Sequence, residues 1–448
     1  MLVVPLAGAE KRLLHPAVPI GFFGTAVTAH VAAWLLAAVF PAEVLAAGGP
    51  GPGLAAVHAL TLGVLVTTAV GALLQILPVT TQQDAPRTPL AALVLALTAG
   101  GGVVLVAGFA LYSVPLLIAG AGSAVLGLTG FAALLVRLLV KGRAAGLVDT
   151  LPAVALAAVW LAALAVLALL LAHDYRVPLL PDHAAAAVVH LVVAAYGFMG
   201  FLVIGFSHVL VPMLAVAEPP KPGAGRPALV LATVSLLAAA GGLLGGFDPL
   251  VWVGLAGGLV ASGLHVALMV KTVGKRLRRK LGPSFVLVRL SWVLLPASLV
   301  AGGLAYAGLV PPALFAVLLL PGWLLTLLLG ILQRILPFLA SMHTVRTCAK
   351  PLSAKTLEWS LPIRVVTLCH PAALGLLTVA AAFDLPLLAR LGGAVGAVGA
   401  CAFVLYAATV GLRARRHRTS VGPKQPRPVR PAAPPPPPFA APPMEFRT

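Results

Sequence analysis

His58, His190, His30 and His265 each stand inside a long apolar run. An ionisable side chain in such a setting is costly to keep and is usually functional. Neutral imidazole is a natural ligand for iron and copper, so these four positions point to heme or metal ligation. His190 is followed by His208 eighteen residues later. On a regular helix that is five full turns, which puts the two on one face but about 27 Å apart along the axis. They cannot share a metal. His173 and His183 flank a short polar segment beside Asp174 and Asp182 and make a candidate outer-surface site. For every one of these histidines the alternative is structural: an interhelical hydrogen bond, or a solvated loop.

Other chemistries find no footing. No hydrolase, phosphate-loop or dinucleotide motif is present. Cys348, Cys369 and Cys401 share no metal-ligand spacing and fit no disulfide framework. The residues that could act are histidines, and the elements that must hold them are apolar.

Hydrophobic residues make up 60% of the 448 residues and charged residues 9%. A soluble domain carries about 25% charged residues. The mean hydropathy is +1.07, and apolar runs of about 20 residues, the length a helix needs to cross a bilayer, recur throughout. The chain reads as an all-α polytopic membrane protein. Lys11 and Arg12 precede a first run too long for a signal peptide. Twelve spans are expected, at roughly 16–40, 54–78, 89–111, 114–140, 148–172, 184–212, 227–246, 250–273, 284–307, 312–337, 361–383 and 387–412.

Charge bias sets the orientation. With the N-terminus inside, the inner segments hold Lys11 and Arg12; Arg87; Lys141 and Arg143; Lys221 and Arg226; the run Lys271–Lys280; and Arg346, Lys350 and Lys355. The outer loops hold Glu43, Asp174, Arg176, Asp182, Asp248 and Asp384. Every alternate loop obeys the positive-inside rule, so both ends lie inside. The net charge of +19 therefore marks topology and calls for no nucleic acid. Residues 1–15 form a cytoplasmic N-terminus, 16–412 the twelve-helix domain, and 413–448, with Pro434 to Pro438 in sequence, a basic proline-rich tail expected to be disordered.

One phrase recurs: Gly71-Ala-Leu-Leu-Gln-Ile-Leu-Pro78, Gly205-Phe-Ser-His-Val-Leu-Val-Pro212 and Gly330-Ile-Leu-Gln-Arg-Ile-Leu-Pro337. The intervals are 205 − 71 = 134 and 330 − 205 = 125 residues, so twelve helices divide into three pseudo-repeats of four. The phrases close helices two, six and ten. The glycine permits close helix approach and the proline is expected to end or kink each helix at the inner face. Thr61, Thr68 and Gln75 follow His58 at heptad intervals and should form one polar stripe on helix two. His58 and His190 fall at similar depths, one to two turns below the outer surface, with His30 somewhat deeper and His265 deeper still. His343 and His370 fall at the inner side. Arg334 is explained by snorkelling to the inner interface.

Three groups of four helices, with outer-half histidines on helices two and six, resemble the main subunit of the heme–copper oxidase superfamily. The segments that carry the resemblance are His58-Ala-Leu-Thr-Leu-Gly63, the Gly71–Pro78 phrase and His190 to Met213, and it covers most of residues 16–412. It implies that His58 is an axial ligand of a low-spin heme and His190 a copper ligand. The family's adjacent histidine pair on helix seven has no counterpart in residues 227–246, and residues 312–337 on helix ten contain no histidine. Its cross-linked tyrosine is not recognisable, although Tyr196 is near. The resemblance thus implies a hemoprotein of the inner (cytoplasmic) membrane that is not a competent terminal oxidase. It would bind b-type heme through His58 with His190 or His30. Copper is a further candidate at His190 and His265. Electron transfer, a response to nitric oxide or oxygen, or metal handling would be its work, alongside other redox membrane subunits. The competing reading is a cofactor-free transporter or assembly factor on the same helix bundle, its polar stripe lining a path.

Overall fold

The computed structural model describes residues 9–46, 48–141, 147–348 and 350–422. Among them there is no strand, and twelve helices are long and apolar enough to cross a membrane. They are α1 (Ala17–Val39), α2 (Pro52–Thr80), α3 (Thr88–Ala110), α4 (Val114–Lys141), α5 (Thr150–Asp174), α6 (His183–Ala215), α7 (Arg226–Gly245), α8 (Asp248–Gly274), α9 (Ser284–Tyr306), α10 (Pro312–Val345), α11 (Ser360–Phe383) and α12 (Pro386–Val421). The protein is a multi-pass, all-α membrane protein. Helices are the form in which an apolar stretch satisfies every backbone group internally within lipid.

The expected spans agree with these to within a few residues, except at two ends. The helix of α10 runs on to Thr347, ten residues beyond Pro337, and α12 extends through Val421, so residues 413–421 are helical. Arg143, the segment before Ala9 and the Pro434–Pro438 run lie outside the described residues, as does the side chain of Arg346.

Local sequence explains where the helices start and turn. Prolines open α2, α3, α7, α8, α10 and α12 in the first turn, where the missing N–H costs no hydrogen bond. Gly246, at φ +62°, ends α7 by donating its N–H to the Gly242 carbonyl. The tight hairpins α3–α4, α7–α8 and α11–α12 stand four apart in the chain. Small residues allow their close approach: a Cβ on Gly101 or Gly120 would strike the backbone of the facing helix, and so would one on Gly254. Helix α12 packs back on α1, where Gly393 meets the Ala38 backbone and Gly396 meets the Trp34 ring. The ring of helices is thereby closed.

Helices α2, α6 and α10 form the centre. In their most apolar windows 67%, 56% and 67% of residues are buried, against 28–44% for every other helix but α9. Each central helix carries the recurring phrase, and each packs its glycine on the helix before it. Gly71 lies on Phe22 of α1, Gly205 on Ala153 of α5, and Gly330 on the Ser284 carbonyl of α9. All three prolines lie within helix: α2 and α6 end two and three residues after Pro78 and Pro212, whereas α10 runs ten residues past Pro337.

A second equivalence has no mark in the sequence. Each central helix contains a π-helical segment, Ala59–Val66, Val193–Met199 and Leu318–Leu325, that begins twelve residues before its glycine (59 to 71, 193 to 205, 318 to 330). The segments of α2 and α6 both touch that of α10. A π turn takes in an extra residue and loosens carbonyls from the regular ladder. Thr67 donates to Leu62 O at 2.8 Å and Thr326 to Pro321 O at 3.2 Å, in both cases five residues back. These threonines stand at equivalent places, four residues before Gly71 and Gly330.

Candidate functional site

The π segments revise two readings that assumed regular helix. Ala59–Val66 covers Thr61 and ends before Thr68, so the expected polar stripe is broken. Thr61 lines a large cavity and donates to Val57 O at 2.8 Å. Thr68 faces a small void of about 10 Å³ beside His30, and Gln75 is buried, 1% exposed. On α6, Val193–Met199 separates His190 from His208, and the two no longer share a face. His190 lies near His58 of α2, within electrostatic range, whereas His208 packs edge to face on His265 of α8.

The large cavity has a volume of about 910 Å³ and runs from the outer loop at Gly48–Gly49 to His265. Leu, Val, Ala and Phe side chains dominate its wall. His58 and His190 are both on it. His58 donates from Nδ1 to the Leu54 carbonyl at 2.9 Å and stacks on Phe109, with ring centroids 4.6 Å apart and planes at 27°. That hydrogen bond fixes the tautomer and leaves the Nε2 lone pair available, the arrangement that orients a ligating imidazole. His190 makes no hydrogen bond through its buried Nδ1. Deeper in the cavity Tyr196, in the π segment of α6, stacks on Trp323 of the α10 segment at 5.5 Å, and its hydroxyl lies 2.8 Å from that of Ser298.

The other histidines fall into separate groups. His30 is not with His58. Its Nε2 accepts from Trp34 Nε1 at 2.9 Å, and its ring sits edge-on to Phe403 of α12. His370, expected near the inner surface, is 2% exposed and joins this group: its Nε2 is 2.7 Å from Thr326 Oγ1, and its ring packs on Trp34. His265, a candidate metal ligand, has the His208 ring as its neighbour.

At the outer surface His183 Nδ1 donates to Asp174 Oδ2 at 2.7 Å, while His173 turns its Nδ1 to its own Leu169 carbonyl. Asp174 also accepts the Leu179 and Leu180 N–H groups, which gives this pair a loop-holding role. Among the described residues no group of three or more His, Cys, Asp or Glu side chains is placed to hold a metal ion. Arg334 does more than reach the interface. It donates to Glu358 at 3.1 Å, to Ser284 Oγ at 3.1 Å and to the Leu281 carbonyl at 2.7 Å, tying α10 to α9 and to the loop before α11.

Some partners carried no advance signal. Trp34 is one turn from His30 and Thr326 one turn before Gly330, so both were within reach of spacing arguments. Phe109, Phe403 and Ser298 come from distant helices, and spacing says nothing about them. No protein-family profile matches the chain, and no curated protein sequence is similar to it.

Proposed function

We propose that the chain is a membrane hemoprotein that would hold a b-type heme in the outer part of the large cavity, with His58 and His190 as the residues that would bind its iron. One observation supports the reading above the rest: two imidazoles from different central helices border one apolar chamber, and one of them has its tautomer fixed with a lone pair to spare. The cavity volume of about 910 Å³ is within the range of cofactor pockets. A ligand set of one or two imidazoles suffices for heme iron. When bound, the heme would supply one-electron redox chemistry or diatomic gas binding. The protein's part is to orient His58 through Leu54 and Phe109 and to exclude water with apolar walls. With no histidine on α7 or in residues 312–337, the reading stops short of oxygen reduction. The resemblance to the heme–copper oxidase superfamily and the positive-inside charges agree with a place in the inner (cytoplasmic) membrane, beside redox partners.

Purified, heme-replete protein should show a Soret band that H58A reduces at least about tenfold, as loss of a ligand should. H190A should shift or remove the band, and H30A should leave it unchanged. A colourless wild-type protein defeats the proposal. A cofactor-free transporter is the second reading, favoured by the length of the cavity from the outer loop to His265. Uptake of a solute by colourless protein in vesicles would establish it.

A further inference from the structure

We propose that His208 on α6 and His265 on α8 form an ion site of their own for a soft monovalent cation, with copper(I) as its occupant. The site lies in the inner half, away from His58 and His190. The two rings stand 6.3 Å apart between centroids, with their planes at 65°. Both side chains are more than nine-tenths buried, His208 at 7% exposed and His265 at 2%. His208 Nδ1 donates to the Ile204 carbonyl at 2.8 Å, which leaves the lone pair on Nε2. That Nε2 has no hydrogen-bond partner, and neither has Nδ1 of His265.

The spacing excludes a direct hydrogen bond between the rings and is compatible with an ion between them. An N–H···N bond would draw the centroids to about 5 Å. An ion about 2.0–2.1 Å from one nitrogen of each ring would hold them about 6 Å apart. Room beside His208 exists because residue 225 is glycine. A Cβ there would sit 2.5 Å from His208 Nε2 and 3.5 Å from the Asp149 Cβ. Asp149 accepts the Gly223 N–H on Oδ2 at 2.9 Å, and its buried Oδ1 has no partner.

Charge selects the occupant. The carboxylate beside the site, Asp149, bonds to Gly223, which the Arg226 side chain also approaches, so the site can offset at most one positive charge. A divalent ion would leave an uncompensated charge in a low-dielectric interior. Hard cations require cages of oxygen ligands, which two imidazoles do not provide. Copper(I) is soft, monovalent and content with two nitrogen ligands. His265 also lines the large cavity, which gives an ion a route to the site.

The test is an anaerobic copper(I) titration of the full-length protein in detergent against a coloured copper(I) chelator, with X-ray absorption at the copper edge. One copper(I) per chain is expected, with the edge feature of two-coordinate nitrogen ligation. H208A and H265A should weaken binding at least tenfold, as should G225V, which keeps both imidazoles but fills the space beside His208 Nε2. H58A should bind as wild type does, so this proposal and the heme proposal fail independently. No uptake by wild type, equal affinity in H208A and H265A, or an edge reporting three or more ligands would overturn it. The wild-type edge decides the matter even if a variant does not fold.

Discussion

Trp34 determines what His30 can do. By donating its indole N–H to the His30 Nε2, it uses the lone pair a metal would need. His58 is the opposite case, since its hydrogen bond runs to a backbone carbonyl from Nδ1 and spares Nε2. Removing the indole donor should cost more than the lost contact, because a buried ring nitrogen is left unpaired. We expect W34F to destabilise the protein by about 1–3 kcal/mol, read as a lower thermal midpoint in detergent. A midpoint equal to wild type would deny the bond a structural role. Arg334 gives a second case, with three partners and only 17% exposure of its side chain. R334A should cost about 2 kcal/mol or more, and R334K should recover little, since one ammonium cannot reach all three acceptors. At this scale the sequence was half legible. His58 and His190 stood out because an imidazole in an apolar run has few explanations. Asp149 and Gly225 did not, because their meeting with His208 joins chain positions 17 to 59 residues apart, and nothing local records it.

Among the elements, the recurring Gly–Pro phrase was visible and its packing role holds: each glycine seats a central helix on its predecessor. The π segments were not visible. Periodicity reveals a change in helix register only when a polar face is displaced from an apolar one, and these segments are almost wholly apolar, with Thr61 and Tyr196 as isolated polar side chains. The same blindness produced the single stripe expected for Thr61, Thr68 and Gln75. If the π turn sets the facing of the lower helix, deleting Val64 should rotate Thr68 and Gln75 by about 100° and turn buried polar groups toward lipid. We expect that deletion to yield little monodisperse protein. A deletion variant as stable as wild type would show that the register after the π segment is indifferent.

For the molecule as a whole, the number and order of spans could be read from hydropathy and loop charge, because the bilayer imposes a length and the positive-inside rule a parity. Which helices are central could not be read from hydropathy, since all twelve are comparably apolar, and burial sets the three apart from every other helix but α9. Orientation has a direct check. In a chain freed of Cys348, Cys369 and Cys401, an impermeant maleimide should label L179C in intact cells and L277C only after lysis; both positions are exposed, at 52% and 82%. The reverse pattern would invert the assigned sidedness. Closure of the ring rests on Gly393 and Gly396 of α12 against α1. G393V should therefore open this seam and lower the thermal midpoint, while G411V, which meets nothing within 4 Å, should not.

That seam joins two spans, α1 and α12, that leave the ribosome far apart in time. Hairpins such as α3–α4 and α7–α8 can assemble while translation continues, but α1 has to wait in the membrane with one flank uncovered until residue 386 onward has been inserted. A chain stopped before α12 would leave Trp34 facing acyl chains where it should meet a glycine. Quality control that senses this unfilled flank would distinguish chains in which α12 has docked from those in which it has not.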